Sequence, residues 1–319
     1  MEVQEMIINL DDHPKNRWSP VKGYEKEINE LLGYYLKDLE GAAVVFDLIK
    51  TYADTFISQA YQEEIAFIAE VSDFSKEEVL VANLYYDILK SYFGCTAYAI
   101  DNRKELFHAR NLDWHTENGL LSKYTTIFNF QKAGTTLFKS VGWKGFVGVL
   151  SGMKPQRFSV TLNAILSNDL PEIAYPISFF LRDVLEQCTD FAEAKQSLET
   201  KPIASDCLLL LSGISPNEFV VIERTPKRFA TRAGENHIVV TNDYKILDNQ
   251  VKPETGNILS STSCGRYDRA ANLLNTHMPV SIGDCLRVLQ DGKVQMGITV
   301  QQMVFENRSG EMRVVKVLG

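Results

Sequence analysis

The chain has 319 residues, 45% hydrophobic and 23% charged, which suits one large or two ordinary soluble domains with a sizeable core. A net charge of −8 and the lack of any lysine- or arginine-rich run exclude nucleic acid as a partner. No uninterrupted apolar run approaches the roughly 18 residues of a spanning helix. The cysteines, at 95, 188, 207, 264 and 285, form no Cys-x-x-Cys pair, so reduced thiols are expected.

Met1 to Asp12 is acidic and has no basic stretch ahead of an apolar core, so no secretory signal and a cytoplasmic setting are expected. Residues 1 to 93 read as a helical layer. Ile28, Leu31, Leu32, Tyr35 and Leu36 form an apolar stripe in a helix over Gly23 to Leu39. A second helix covers Ala42 to Ala60 and a third Glu63 to Val71. The fourth opens with Ser75 as cap and Glu78 at the capping-box position, and it runs towards Tyr92 to stop at Gly94.

Beyond Gly94 the texture turns to short β-branched and aromatic runs separated by Gly or Pro. Cys95 to Ile100 and Leu106 to Trp114 flank the polar turn Asp101-Asn102, the signal for a hairpin. Strands follow at Tyr124 to Phe130, Thr135 to Val141, Phe146 to Leu150 and Arg157 to Leu162, then helices at Ile177 to Gln187 and Phe191 to Leu198. A second hairpin joins Cys207–Leu211 to Glu218–Glu223, with a further strand at Ile238 to Thr241. Helices at Tyr267 to Asn275 and Ile282 to Gln290 precede a last pair, Thr299–Phe305 with Met312–Val317. This order predicts an α+β fold of antiparallel sheets with helices stacked outside.

The first hairpin carries the chemistry. Folding it back should bring Cys95, Arg110 and Asp113 together at one edge of the sheet. A cation there stabilises a thiolate, and a carboxylate can orient a proton carrier. Taken singly, each has a plainer reading, since a lone cysteine serves as a small core hydrophobe and an Arg/Asp pair three apart as a solvated surface pair. No histidine has a clear partner pattern to act as base, although His108, on the other strand of the hairpin, makes a Cys–His dyad conceivable.

Cys95-Thr96 followed by Phe107-His108-Ala109-Arg110-Asn111-Leu112-Asp113-Trp114 resembles the start of the β-chain in acid ceramidase and N-acylethanolamine acid amidase. These belong to the choloylglycine-hydrolase branch of the N-terminal-nucleophile (Ntn) cysteine hydrolases. Ile8-Asn9-Leu10-Asp11 with Pro14 and Arg17-Trp18, Ser151 to Pro155 with Phe158-Ser159-Val160, Thr241-Asn242-Asp243-Tyr244 and Gly265-Arg266-Tyr267-Asp268-Arg269 extend the likeness along nearly the whole chain. The resemblance implies an αββα sandwich of two antiparallel sheets between helical layers, with an N-terminal helical α-chain segment.

It also implies self-cleavage at Gly94–Cys95, giving an α-chain of 1–94 and a β-chain of 95–319, and it supplies the missing base. A freed α-amine, with an ordinary pKa of about 7.7–8.0, can accept the proton of its own residue's thiol. By the same resemblance Cys95 is nucleophile and base, Arg110 stabilises the thiolate, and Asp113 holds the amine and assists the cut. Asn242 donates to the oxyanion and Arg266 completes the site. Asn163 resembles an oxyanion asparagine of the bile-salt hydrolases, whereas the ceramidase branch uses a backbone amide there. No metal or cofactor is implied.

The expected activity is hydrolysis of the amide bond of an N-acylated small molecule such as a fatty acid amide. Two alternatives stay open: an acyltransferase of the acyl-CoA:6-aminopenicillanic acid type, sharing the Gly-Cys-Thr opening, and a bile-salt or penicillin V amidase. Apolar residues of the α-chain (Ala42 to Ile49, Phe56, Ile57) could line an acyl groove or touch a lipid surface, or simply be core. The hairpin turn is one residue shorter than in the animal enzymes, which are lysosomal and disulfide-bonded, so an acid optimum is not carried over.

Overall fold

The computed structural model describes residues 2–39, 43–89, 93–114, 119–166, 169, 172–249 and 258–317. Strand β1 (Gln4–Asn9) is followed by helices α1 (Pro14–Arg17), α2 (Glu25–Asp38), α3 (Ala43–Phe56), α4 (Gln59–Glu70), α5 (Lys76–Asn83) and α6 (Tyr85–Leu89). The hairpin of β2 (Phe93–Asp101) and β3 (Leu106–Trp114) comes next. After α7 (Leu120–Lys123) come β4 (Thr126–Lys132), β5 (Thr135–Gly142), β6 (Ser151–Lys154) and β7 (Phe158–Asn163). Helices α8 (Ile177–Gln187) and α9 (Phe191–Thr200) precede β8 (Cys207–Ser212), β9 (Phe219–Arg224), β10 (Phe229–Ala233) and β11 (His237–Val240). The last elements are α10 (Ile258–Thr276), α11 (Ile282–Leu289), β12 (Thr299–Glu306) and β13 (Glu311–Lys316).

The strands make two stacked sheets. The first is eight-stranded, in the order β1-β4-β5-β6-β7-β8-β9-β10, and the second five-stranded, β11-β2-β3-β12-β13. All pairings are antiparallel except β1 with β4, which is parallel. Period-two alternation sends side chains to opposite sheet faces and builds four layers. Ala97, Ala99, Leu208, Leu210, Val221 and Val240 fill the space between the sheets. Tyr98, Ile100, Phe107 and Ala109 point the other way, against Ala270 and Leu274 of α10 and Cys285 and Leu289 of α11. On the far side Leu209 and Leu211 pack with Phe179, Leu181 and Leu185 of α8 and with the N-terminal helices. This is the αββα sandwich.

The N-terminal segment is anchored by a buried cluster. Glu64 of α4 accepts from both guanidinium ends of Arg182 on α8 (2.5 and 2.9 Å), from Trp18 Nε1 (2.7 Å) and from Arg17 Nη1 (3.0 Å). Burial alone would raise the carboxyl's pKa, but the Arg182 charge and these donors hold it below the ordinary value.

Several expectations need correction. Residues 1 to 93 are not purely helical, because β1 joins a sheet edge through a partner more than a hundred residues away. The capping box at Ser75 and Glu78 is present, but its helix ends at Asn83, and the strand that holds Cys95 already begins at Phe93. Residues 146–150 are a loop, β10 was not foreseen, and Arg266 lies well inside α10 rather than at its start. The apolar positions 42–48 expected in the second helix have side chains outside the described residues. Among the described residues no helix is long and apolar enough to cross a membrane.

Candidate active site

The β2–β3 hairpin is closed by Asn102, whose Oδ1 accepts the amides of Lys104 and Glu105 (3.0 and 2.8 Å), with Arg103 in the left-handed region at φ 74°. This fixes a register in which Cys95 faces Leu112, Ala97 faces Arg110 and Gly94 faces Asp113. Directly opposed residues share a face, so Cys95 and Arg110 both point between the sheets, while Asp113 points to the opposite face. The three meet at one end of the hairpin, but from two sides of it, which corrects the single-edge picture.

Between the sheets, Arg110 Nη2 donates to Cys95 Sγ at 3.1 Å and to the Leu162 carbonyl. Its Nη1 donates to the Leu150 carbonyl (2.8 Å) and to Ser151 Oγ. The thiol in turn donates to the Leu162 carbonyl at 3.8 Å. Cys95 and Arg110 are fully buried, so the guanidinium sits in a dry setting where a developing thiolate charge is worth most. Arg110→Met removes this donor and takes one partner each from the Leu150 and Leu162 carbonyls. Turnover should fall at least about 100-fold, and denaturant unfolding should show a loss of about 2–3 kcal/mol.

From the other face, Arg266 on α10 grips the same residue by its backbone. Its Nη1 donates to the Cys95 carbonyl (2.6 Å) and Thr96 Oγ1 (2.8 Å), and its Nη2 to Asn242 Oδ1 (2.7 Å). Asn242 Oδ1 also accepts the Cys95 N–H at 3.2 Å, while its Nδ2 donates to the Ala164 carbonyl at 2.7 Å. One amide hydrogen of Asn242 is thus engaged, and the second has no acceptor among the described residues. Asp113 Oδ2 lies 3.9 Å from Arg266 Nη1. Burial pushes the Asp113 pKa up, and Arg266, Thr299 and Arg110 only partly offset that.

Cys95, Arg110, Asp113, Asn242 and Arg266 are therefore brought together around one residue and its upstream peptide bond. Asn163 is placed differently: its Nδ2 donates to the carbonyls of Val240 (3.2 Å) and Thr241 (2.9 Å), clamping β7 to the other sheet. His108 is no partner for Cys95. It stands opposite Ala99, four positions along the strand from Leu112, and binds Ser212 Oγ (2.9 Å) and Thr161 Oγ1 (2.8 Å). Burial, and then Arg110, push its pKa down to about 3, so it is a neutral core imidazole.

Sequence reasoning missed Thr299, which holds Asp113, and Ser263, whose Oγ accepts the Asn242 N–H at 2.9 Å. Neither belongs to a motif, and a single sequence gives no signal for them. Apart from these residues, α3 and α6 border a largely apolar cavity of about 350 Å³ with Ile49, Tyr52, Phe56, Leu84 and Ile88 on its wall. Ile49 and Phe56 line this cavity, and Ile49 and Ile57 are both buried in the core.

Comparison with known proteins agrees with this geometry. Residues 100–303, more than half of the chain, match the family described as acyl-coenzyme A:6-aminopenicillanic acid acyl-transferase. A probable acid ceramidase of Caenorhabditis elegans is 29% identical over 282 residues, spanning 77% of this chain and 69% of that protein. The N-acylethanolamine-hydrolyzing acid amidase of the same organism is 31% identical over 238 residues, spanning 68% of this chain and 66% of that one. A solved structure of the Caenorhabditis elegans N-acylethanolamine-hydrolyzing acid amidase ortholog shares the fold, with TM-score 0.60 and 24% identity over 70% of this chain and 100% of that chain. The chain belongs to the Ntn cysteine hydrolases, in the branch of acid ceramidase and N-acylethanolamine acid amidase.

Proposed function

We propose that this protein is a self-processing cysteine amidohydrolase that cleaves the amide bond of N-acylated lipids, such as N-acylethanolamines or ceramides. The observation that carries the reading is the double grip on Cys95: Arg110 on its sulfur from one face, Arg266 and Asn242 on its backbone from the other. A core cysteine needs neither.

In the uncut chain, Cys95 Sγ attacks the Gly94 carbonyl. The C–N bond breaks, the acyl group passes to sulfur, and Cys95 gains a free α-amine. Water then releases Gly94 as a carboxylate. Residues 1–94 and 95–319 become two chains, held together by β1 on β4 and by Glu64 on Arg182.

In the second reaction the α-amine takes the thiol proton and the thiolate attacks the substrate carbonyl. The second amide hydrogen of Asn242 meets the oxyanion. The leaving amine takes the proton from the α-ammonium, and water, deprotonated by the same amine, frees the fatty acid. The cavity between α3 and α6 offers an apolar wall for the acyl chain, its size within the usual range for small-molecule sites.

The test is a panel of N-acylethanolamines, ceramides and N-acyl amino acids incubated with the purified protein and followed by mass spectrometry. Release of free fatty acid in water is expected. Acyl transfer to an added amine with no free acid formed would favour the acyltransferase instead.

A further inference from the structure

Asp113 is held at one carboxylate oxygen by a residue outside the cluster, Thr299. Thr299 of β12 stands directly opposite Asp113, and the register then slips before Gln301, leaving Val300 as a bulge. The bulge is fixed from behind, because the Val300 carbonyl accepts from Ser122 Oγ (2.9 Å) and from the Val317 amide (3.1 Å). Bulges of this kind re-aim a side chain, and here the one re-aimed is the threonine.

The Thr299 hydroxyl accepts the Met296 N–H at 3.0 Å and lies 2.5 Å from Asp113 Oδ1. A hydroxyl has a single hydrogen. With Met296 acting as donor, that hydrogen goes to Oδ1. Asp113 Oδ2 has no hydrogen-bond partner among the described residues and is directed towards Arg266, the same guanidinium that holds the Cys95 carbonyl.

We propose that Thr299 is a positioning residue: by clamping Oδ1 it presents Oδ2 of Asp113 to the backbone nitrogen of Cys95, where the freed α-amine will stand. The proposal rests on the reading of Cys95 as nucleophile and adds to it the device that fixes which carboxylate oxygen acts. The other charged groups facing Asp113 are Arg266 from α10 and Arg110 from its own strand. Neither donates to Oδ1, so among the described residues Thr299 is the hydrogen-bond donor that fixes this oxygen.

The test compares Thr299→Val, isosteric but without the hydroxyl, with Thr299→Ser, which keeps it. Self-cleavage and amide turnover are followed across pH in the full chain. A hydroxyl donor favours the ionised carboxylate, so its loss should move the acid limb of the Thr299→Val profile upward by about one pH unit. Thr299→Ser should keep the wild-type profile. A Thr299→Val profile superimposable on wild type, or an equal pH-independent loss in both variants, would overturn the proposal. If Thr299→Val does not fold, Thr299→Ala takes its place with the same outcomes.

An independent arm needs no active enzyme. Carboxyl-carbon NMR of Asp113 in Cys95→Ala protein should show a higher titration midpoint when Thr299→Val is added, and an unchanged midpoint overturns the clamp. A wild type that neither cuts itself nor turns over amide sinks the nucleophile assignment, while this titration still judges Thr299.

Discussion

Cys95→Ala is expected to remain one uncut chain and to release fatty acid at least about four orders of magnitude more slowly than wild type. The single change removes the sulfur that attacks Gly94, so the α-amine is never unmasked and both functions of the residue vanish together. The fold should survive. Cys95 is fully buried, and its thiol is a weak donor at 3.8 Å to Leu162. Alanine therefore leaves Arg110 still bound to the Leu150 and Leu162 carbonyls. Unchanged thermal unfolding beside a lost cut separates chemistry from stability. An alanine variant that hydrolyses amides would refute the assignment of the nucleophile.

The second large effect concerns stability. Glu64→Gln should cost about 3–5 kcal/mol in denaturant unfolding, because the buried Arg182 charge loses the carboxylate that holds both its Nη groups and keeps only Glu186 at its Nε. Glu64 and Arg182 are both fully buried and lie on opposite sides of the proposed cut. The mutation should therefore also loosen the two fragments, and they should separate on size exclusion under conditions where wild-type fragments stay together.

The pH dependence has a definite sign. Glu64 has a depressed pKa when folded, so its contribution is present above the ordinary carboxyl value of about 4.3 and is lost as pH falls through the folded value. Glu64→Gln should flatten the acid side of the stability profile. A variant as stable as wild type at neutral pH would mean that the cluster is not an anchor.

The hairpins were legible because alternation and turn chemistry are local properties. Asn102 closing β2 on β3 needs only a few neighbouring residues, as does the box of Ser75 and Glu78. Strand β1 was hidden because its partner is Thr126 to Gln131, a pairing that no local pattern announces. The end of α5 at Asn83 was missed because apolar residues continue past it, and the buried Leu84, Tyr85 and Tyr86 mimic a continuing stripe.

In the site, the face of Asp113 could have been read from the spacing. An interval of three along a strand places side chains on opposite faces, so Arg110 and Asp113 could not both stand beside the sulfur. The convergence of Asn242, Arg266 and Thr299 depends on chain separations of well over a hundred residues. For the first two only family likeness supplied it, and for the third nothing did.

The most direct measurement relates the extent of cutting to the rate. Purified protein is sampled as it matures, with intact mass and N-terminal sequencing giving the fraction split at Gly94–Cys95, and each sample is assayed for fatty acid release. The account predicts a rate that rises in proportion to that fraction and extrapolates to zero in unsplit protein. Full hydrolysis by a chain whose Cys95 nitrogen is still in peptide linkage to Gly94 would contradict it.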